Sequence, residues 1–218
     1  MFFDGLEDAE TGRLMGSFAQ DTANTLNYTR EQMDNFAIRS LKRAQTAITE
    51  GYFKDEIVPV TVKGRGGDTE VVQDEQPLNA KLDKIPGLKP AFAKDGTITA
   101  ANASSISDGA SALVLMREST AAAKGLKPLA RILATASNSQ HPSEFTIAPV
   151  GAVQKVLNKT GWTAAEVDLW EINEAFAVQV LACIKALASE QFCKEQLRLS
   201  EAVGEIDSAK LNVNGGAI

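Results

Sequence analysis

The sequence predicts an α/β protein with layered architecture. Three observations carry this. Apolar, β-branched runs alternate along the chain with stretches of helical period. Capping residues mark where helices begin and glycines where they end. The composition, 44% hydrophobic and 23% charged over 218 residues, is that of an ordinary globular chain, which excludes a disordered or fibrous one. At roughly 150 residues per domain this is one large domain or two small ones.

The elements follow in order. Thr29 and Gln32 form a capping box that opens a helix from Arg30 to Glu50. Met33, Phe36, Ala37, Leu41, Ala44 and Ile48 fall on one stripe of it, and Gly51 ends it. Val58, Val60 and Val62 alternate with Pro59 and Thr61, a strand that Pro59 places at an edge. Gly64-Arg65-Gly66-Gly67 turns the chain, and Val71-Val72 is the return strand. From Pro77 to Gly96, prolines and lysines without a period predict an irregular segment of the kind that holds ligands. Leu113–Met116 reads as a buried strand or helix core, and Glu118–Lys124 as a short helix closed by Gly125. Leu129–Ala136 is an expected strand, and Pro149–Lys159 a helix with Val153, Val156 and Leu157 inward, closed near Gly161. Thr163 and Glu166 form a second capping box before a strand over Val167–Ile172. Asn173 then opens a helix carrying Ala177, Val180, Leu181, Ile184 and Leu187 on one face. Glu190–Val203 is charged and helix-prone.

Charge narrows the function. With 22 Lys+Arg against 28 Asp+Glu the net charge is −6, so there is no electrostatic reason to bind a nucleic acid. Local basic groups remain able to hold a small phosphorylated ligand. The apolar run Gly109–Met116 is too short to span a bilayer, and the opening MFFDGLEDAETG lacks the basic and apolar regions of a signal peptide. Two cysteines, Cys183 and Cys193, read as reduced thiols in the cytoplasm. Phe2 and Phe3 follow no preceding element, and the Gly-rich run Asn214–Ile218 leads onward from the strand-like Leu211–Val213, so both ends read as cuts.

Few residues carry chemistry. A polar pair, Asn173-Glu174, stands at a strand-to-helix step, where α/β folds place ligands. The same pair also reads as an ordinary N-cap with a favourable acid in the first turn. Thr97–Ala112 is small, polar and Gly/Ala-rich, which suits either close approach of a ligand to the backbone, with Ser104 or Ser105 as donor, or close packing. His141 lies in a turn without a second histidine, and Cys183 and Cys193 lack metal-ligand spacing, so no metal site is expected. Cys183 reads as core and Cys193 as part of a polar stretch; neither has a positioned base.

Several segments, in order and spacing, resemble the thiolase family, the acyl-CoA acetyltransferases. They are Gly5-Leu6, Leu14–Ala19, Phe53–Val60, Lys89–Phe92, Gly96–Ser104, Asp108–Ala110, Asn173–Ala177 and Asn212–Ala217. The resemblance implies a layered αβαβα fold, here incomplete, with an α+β loop or lid domain. Its implied parts are a lid over coenzyme A at 1–96, a remnant of the N-terminal half at 97–127, and most of the C-terminal half at 128–218. By resemblance, Leu6, Met15, Lys89 and Phe92 line the coenzyme A path, Ser104 bonds the pantetheine with Ala100 beside it, and Ala175 and Phe176 flank the thioester. Asn173 holds the water of an oxyanion hole and Glu174 supports it; one such donor is worth about 3 to 4 kcal/mol of barrier.

The implied reaction is condensation of two acetyl-CoA to acetoacetyl-CoA, or thiolysis of a 3-ketoacyl-CoA. The substrate is a coenzyme A thioester, without a separate cofactor. A homodimer or homotetramer is implied for the complete protein. The family's nucleophilic Cys loop, its Gly-His-Pro loop and its second catalytic Cys have no counterpart in these residues, so the chain alone is expected to be inactive. Leu14 stands where the family often has His, and Leu41 where potassium-dependent members have Tyr, so no potassium is expected. The connection Ala188–Lys210 is longer than usual. Two rivals remain: a non-catalytic CoA- or acyl-CoA-binding module, and one chain of a split assembly.

Overall fold

The structure is a computed structural model that describes residues 2–218, with side chains from Phe3 onward. The expectation for Phe2 therefore lies outside the described side chains, while Phe3 is exposed. After a short π-helical turn over Phe2–Leu6, α1 (Met15–Leu26) buries Phe18, Ala19 and Ala23 and ends at Asn27 in the left-handed region. The long helix α2 (Arg30–Thr49) starts at the capping box read from Thr29 and Gln32, both of whose hydrogen bonds are formed. Its buried face holds Met33, Phe36, Ala37 and Leu41, but also two polar residues, Asp34 and Ser40.

The strands β1 (Val60–Gly64) and β2 (Gly67–Val71) pair antiparallel, Val60 opposite Val71 and Lys63 opposite Asp68. Gly67, at φ 117°, makes the turn that a side chain would resist. Pro59 falls just before the ladder, where a missing N–H costs nothing. The segment expected to be irregular after Pro77 is partly helical: α3 (Gln76–Asn79) precedes a 3-10 helix, Leu82–Gly87, and Ile85 anchors the latter in the core. Further along come α4 (Glu118–Ala123), the 3-10 helix Pro142–Ile147, α5 (Ala148–Thr160), α6 (Ala177–Ala188) and α7 (Glu190–Leu197). Gly161 ends α5 with φ 73°.

Helices α1 and α2 pack on α6, which also meets α5 and α7. Met33, Phe36, Ile98, Trp170, Val178, Val180, Leu187 and Leu211 form the centre of one continuous core. Among the described residues no helix is long and apolar enough to cross a membrane.

Four expectations are corrected. Leu113–Met116 is not buried: Leu113 and Val114 are 86% and 87% exposed. Leu129–Ala136 forms no ladder, and Leu129, Ile132 and Leu133 are exposed. Val167–Ile172 is reduced to one parallel bridge, Trp170 to Leu211. A strand exists only with a partner, and among the described residues the β1–β2 hairpin is the only extended ladder, so apolar pattern alone leaves these runs unpaired. The fourth concerns the burial of Cys193: the stretch around it is polar, as read, but α7 turns this side chain inward, where its Sγ donates to the Ala186 carbonyl.

Candidate active site

Asn173 does not open a helix. The helix α6 begins at Ala177, with Phe176 held extended as its cap (φ −147°, ψ 146°). The cause is tertiary. Ser104 donates its N–H to the Ala175 carbonyl at 2.9 Å, Ala103 bridges Phe176, and the Asn102 carbonyl accepts the first helical N–H, that of Ala177, at 2.9 Å. The small-residue segment thus caps α6 through its backbone, which leaves Asn173 exposed and free of a capping role. Phe176 is buried beneath edge-on contacts with Phe92 and Phe145, at 6.2 and 6.3 Å between centroids.

Glu174 points the other way and is 1% exposed. One carboxylate oxygen accepts from the Ser40 hydroxyl at 2.5 Å and the other from Asn212 Nδ2 at 2.8 Å. Asn212 is itself locked: its Oδ1 accepts the Ile172 N–H and its Nδ2 donates to the Ile172 carbonyl, both at 2.8 Å. The Ser40 hydroxyl also accepts the Gly216 N–H at 3.0 Å. A buried carboxylate is tolerated only with such satisfaction. Nearby, Glu171 has its carboxyl raised above the ordinary range, first by burial and then by the charge of Glu174. Arg39 has its guanidinium lowered by burial and by Arg43, and Glu174 opposes that shift.

A cleft of about 580 Å³ lies beside this network. Its walls are Ala37 and Leu41 of α2, the Ala100–Ser104 segment, Lys81 and Lys84 of the 3-10 segment, and Gly216–Ile218. Arg30 ties two of these walls together. It holds Asp34 at 2.7 Å and the Ile85 carbonyl at 2.9 Å, while Asp34 accepts from the Asn102 amide at 2.9 Å. Of the ligand residues inferred from sequence, Ala100 and Ser104 line the cleft. Leu6, Met15, Lys89, Phe92, Ala175 and Phe176 are not among its lining residues: Lys89 is exposed, Met15 starts α1, and Phe92 packs on Phe176 and against Gly16.

Sequence reasoning missed Ser40, Asp34, Lys81 and Lys84. Ser40 and Asp34 had a readable signal, since both interrupt the apolar stripe of α2 and yet lie within it. The two lysines lie in the Pro77–Gly96 segment expected to hold ligands, but only the fold puts them on the same cleft as Ser104. Among the described residues no three His, Cys, Asp or Glu side chains gather as metal ligands would.

Cys183 lies in the core, its Sγ donating to the Thr146 carbonyl, and burial pushes its thiol up to about 12. A thiol so raised carries little thiolate at neutral pH. Iodoacetamide at pH 8 is expected to leave Cys183 unmodified in the folded chain and to alkylate it fully in denaturant; mass mapping of native labelling at Cys183 would contradict its burial.

Comparisons with known proteins show the family. Residues 1–119 match the family model "Thiolase, N-terminal domain" and residues 126–218 match "Thiolase, C-terminal domain". A probable acetyl-CoA acetyltransferase of Dictyostelium discoideum is 50% identical over 216 residues, covering 99% of this chain and 48% of that protein. The mitochondrial acetyl-CoA acetyltransferase of Bos taurus is 42% identical over 217 residues, 99% of this chain and 47% of that protein. The crystal structure of the Bacillus anthracis acetyl-CoA acetyltransferase superimposes with a TM-score of 0.85 at 41% identity, over 99% of this chain and 50% of that one. The chain spans about half the length of the curated relatives it matches. Its path is therefore that of part of a layered α/β thiolase fold, and on these matches the chain belongs to the thiolase family.

Proposed function

We propose that this chain is the acyl-CoA-binding part of an acetyl-CoA acetyltransferase, and that the whole protein condenses two acetyl-CoA to acetoacetyl-CoA or cleaves a 3-ketoacyl-CoA with coenzyme A. The observation that carries the reading is the cleft that brings Ser104, Ala100, Lys81 and Lys84 together beside Glu174, in a chain of the thiolase family. In this reading the two ammonium groups meet the ligand's phosphates, and Ser104, exposed at the cleft wall, bonds a pantetheine amide. The small side chains of Ala100 and Ala103 let the pantetheine lie against the backbone. Exposed Asn173 is free to hold a water at the thioester oxygen, where charge develops in the transition state. Glu174 keeps that loop in place from below. Leu6, Met15, Lys89 and Phe92 belong to the lid that closes over the ligand, and Ala175 and Phe176 to the floor under the thioester.

Acyl transfer of this kind needs a thiolate nucleophile and a base. Cys183 and Cys193 are both buried with their thiols on backbone carbonyls, which supports the reading that these 218 residues bind but do not transfer. The coenzyme A thioester is the substrate and no separate cofactor is required. The two free thiols fit a reducing, cytoplasmic setting. The exposed apolar runs at Leu113–Met116 and Leu129–Leu133 fit a homo-oligomer of the complete protein, active in fatty acid metabolism. Titration calorimetry of the purified chain is expected to show micromolar binding of coenzyme A that weakens on Lys84→Ala and Ser104→Ala, with no acetoacetyl-CoA thiolysis. Absence of binding at millimolar coenzyme A would overturn the ligand reading, and thiolysis by the homogeneous chain would overturn the claim of inactivity.

A further inference from the structure

We infer that Ser40 is a positioning residue that sets the Gly216 wall of the cleft and couples it to Glu174. This rests on the acyl-CoA reading of that cleft. Ser40 is buried on the face of α2 whose neighbours Ala37 and Leu41 line the cleft, and Gly216 lines the same cleft. The loop at 214–216 also walls a second cavity of about 680 Å³, lined in addition by Ala44, Ala47 and Ile48 of the same helix. Gly216 borders both spaces, so its placement bears on the shape of each.

Two contacts set that placement. Gly215, at φ 87°, lies so close to α2 that a Cβ there would meet the Ala44 N and the Ser40 O at 2.8 Å. Steric contact thus limits how near the loop comes. The hydrogen bond from the Gly216 N–H to Ser40 Oγ limits how far it moves away. A hydroxyl has one proton, and here its direction is fixed. With its lone pair on the Gly216 amide, Ser40 gives that proton to Glu174 Oε2. The other carboxylate oxygen is held by Asn212, whose own amide cannot flip because both of its ends are bonded to Ile172. Gly216, Ser40, Glu174 and Asn212 are therefore one directional chain across three segments. Loss of the hydroxyl frees the Gly216 amide and leaves Glu174 with one donor fewer, so the cleft wall and the Asn173-Glu174 loop loosen together.

The test uses the full 218-residue chain, with coenzyme A as probe. Ser40→Ala is expected to speed exchange of the Gly216 amide by about tenfold or more while amides of α5 keep their rates, and to weaken coenzyme A by about fivefold, both measured well below the unfolding transition. A residue with only a structural role would leave affinity unchanged once folding is complete. Glu174→Gln provides the second variant. Its amide NH2 has to face Ser40, since facing the locked Asn212 sets donor against donor, and so it turns the hydroxyl proton away. Ser40→Ala added to Glu174→Gln is then expected to cost less affinity than Ser40→Ala alone. Unchanged Gly216 exchange in Ser40→Ala, affinity within twofold of wild type, or full additivity of the two variants each overturns the inference. If wild type binds no coenzyme A, the ligand reading falls and Gly216 exchange alone decides whether Ser40 places the loop.

Discussion

Glu174→Ala is expected to lower the stability of the chain by about 3 to 5 kcal/mol. The carboxylate is 1% exposed and accepts two hydrogen bonds, from Ser40 and Asn212. Gly216 lies directly on it, since a Cβ at that glycine would overlap the carboxyl group. Truncation removes both acceptors and opens a gap beneath the Gly216 loop. Burying a carboxylate is itself costly, so part of the loss is recovered when the charge is removed. The net sign is still destabilising, because Asn212 and Ser40 keep their donors in a place without water to replace Glu174. Glu174→Gln retains the volume and one acceptor and is expected to cost about 1 to 2 kcal/mol. Urea unfolding followed by circular dichroism measures both. A Glu174→Ala midpoint equal to that of wild type would mean that the network does not bear on folding.

The second large effect is expected at Gly215. Alanine at φ 87° costs about 1 to 2 kcal/mol in backbone strain alone. Its Cβ would also press on the Ala44 N and the Ser40 O, which are backbone atoms of a helix and cannot rotate away. The total is expected to reach about 3 kcal/mol or more. Gly12 separates the two contributions. It too has a positive φ, 67°, but a Cβ there meets nothing within 4 Å. Gly12→Ala is expected to cost only the strain, about 1 kcal/mol. If both alanine variants unfold at the same denaturant concentration, the close approach of the Gly215 loop to α2 is not what requires glycine there.

Much of the helical fold was legible. The box Thr29–Gln32 fixes the start of α2 because its two hydrogen bonds lie within one turn, and Gly161 marks the end of α5 because only a left-handed residue reverses the chain there. The hairpin at Gly64–Gly67 was legible for the same reason: strand, turn and return strand lie within a dozen residues or so. The expected strands at Leu129–Ala136 and Val167–Ile172 were not, because a ladder belongs to two segments and the second is distant or unpaired. At the candidate site, the Asn173-Glu174 pair could be singled out, but not its division of labour. The helix start moved to Ala177 because Asn102 and Ser104, far away in sequence, satisfied the backbone there.

What the sequence by itself determined is a set of local decisions: the start of α2, the end of α5, the hairpin turn, and that the ordered segments Lys89–Phe92, Gly96–Ser104, Asn173–Ala177 and Asn212–Ala217 resemble a thiolase. Only the tertiary structure decided which polar groups meet. Ser40 is separated from Glu174 by 134 positions and Asn212 by 38, yet the three make one buried chain of hydrogen bonds. Short-range signals arise from hydrogen bonds and steric limits inside one turn, which spacing displays. A buried carboxylate instead needs donors wherever packing can bring them, and packing is a property of the whole core.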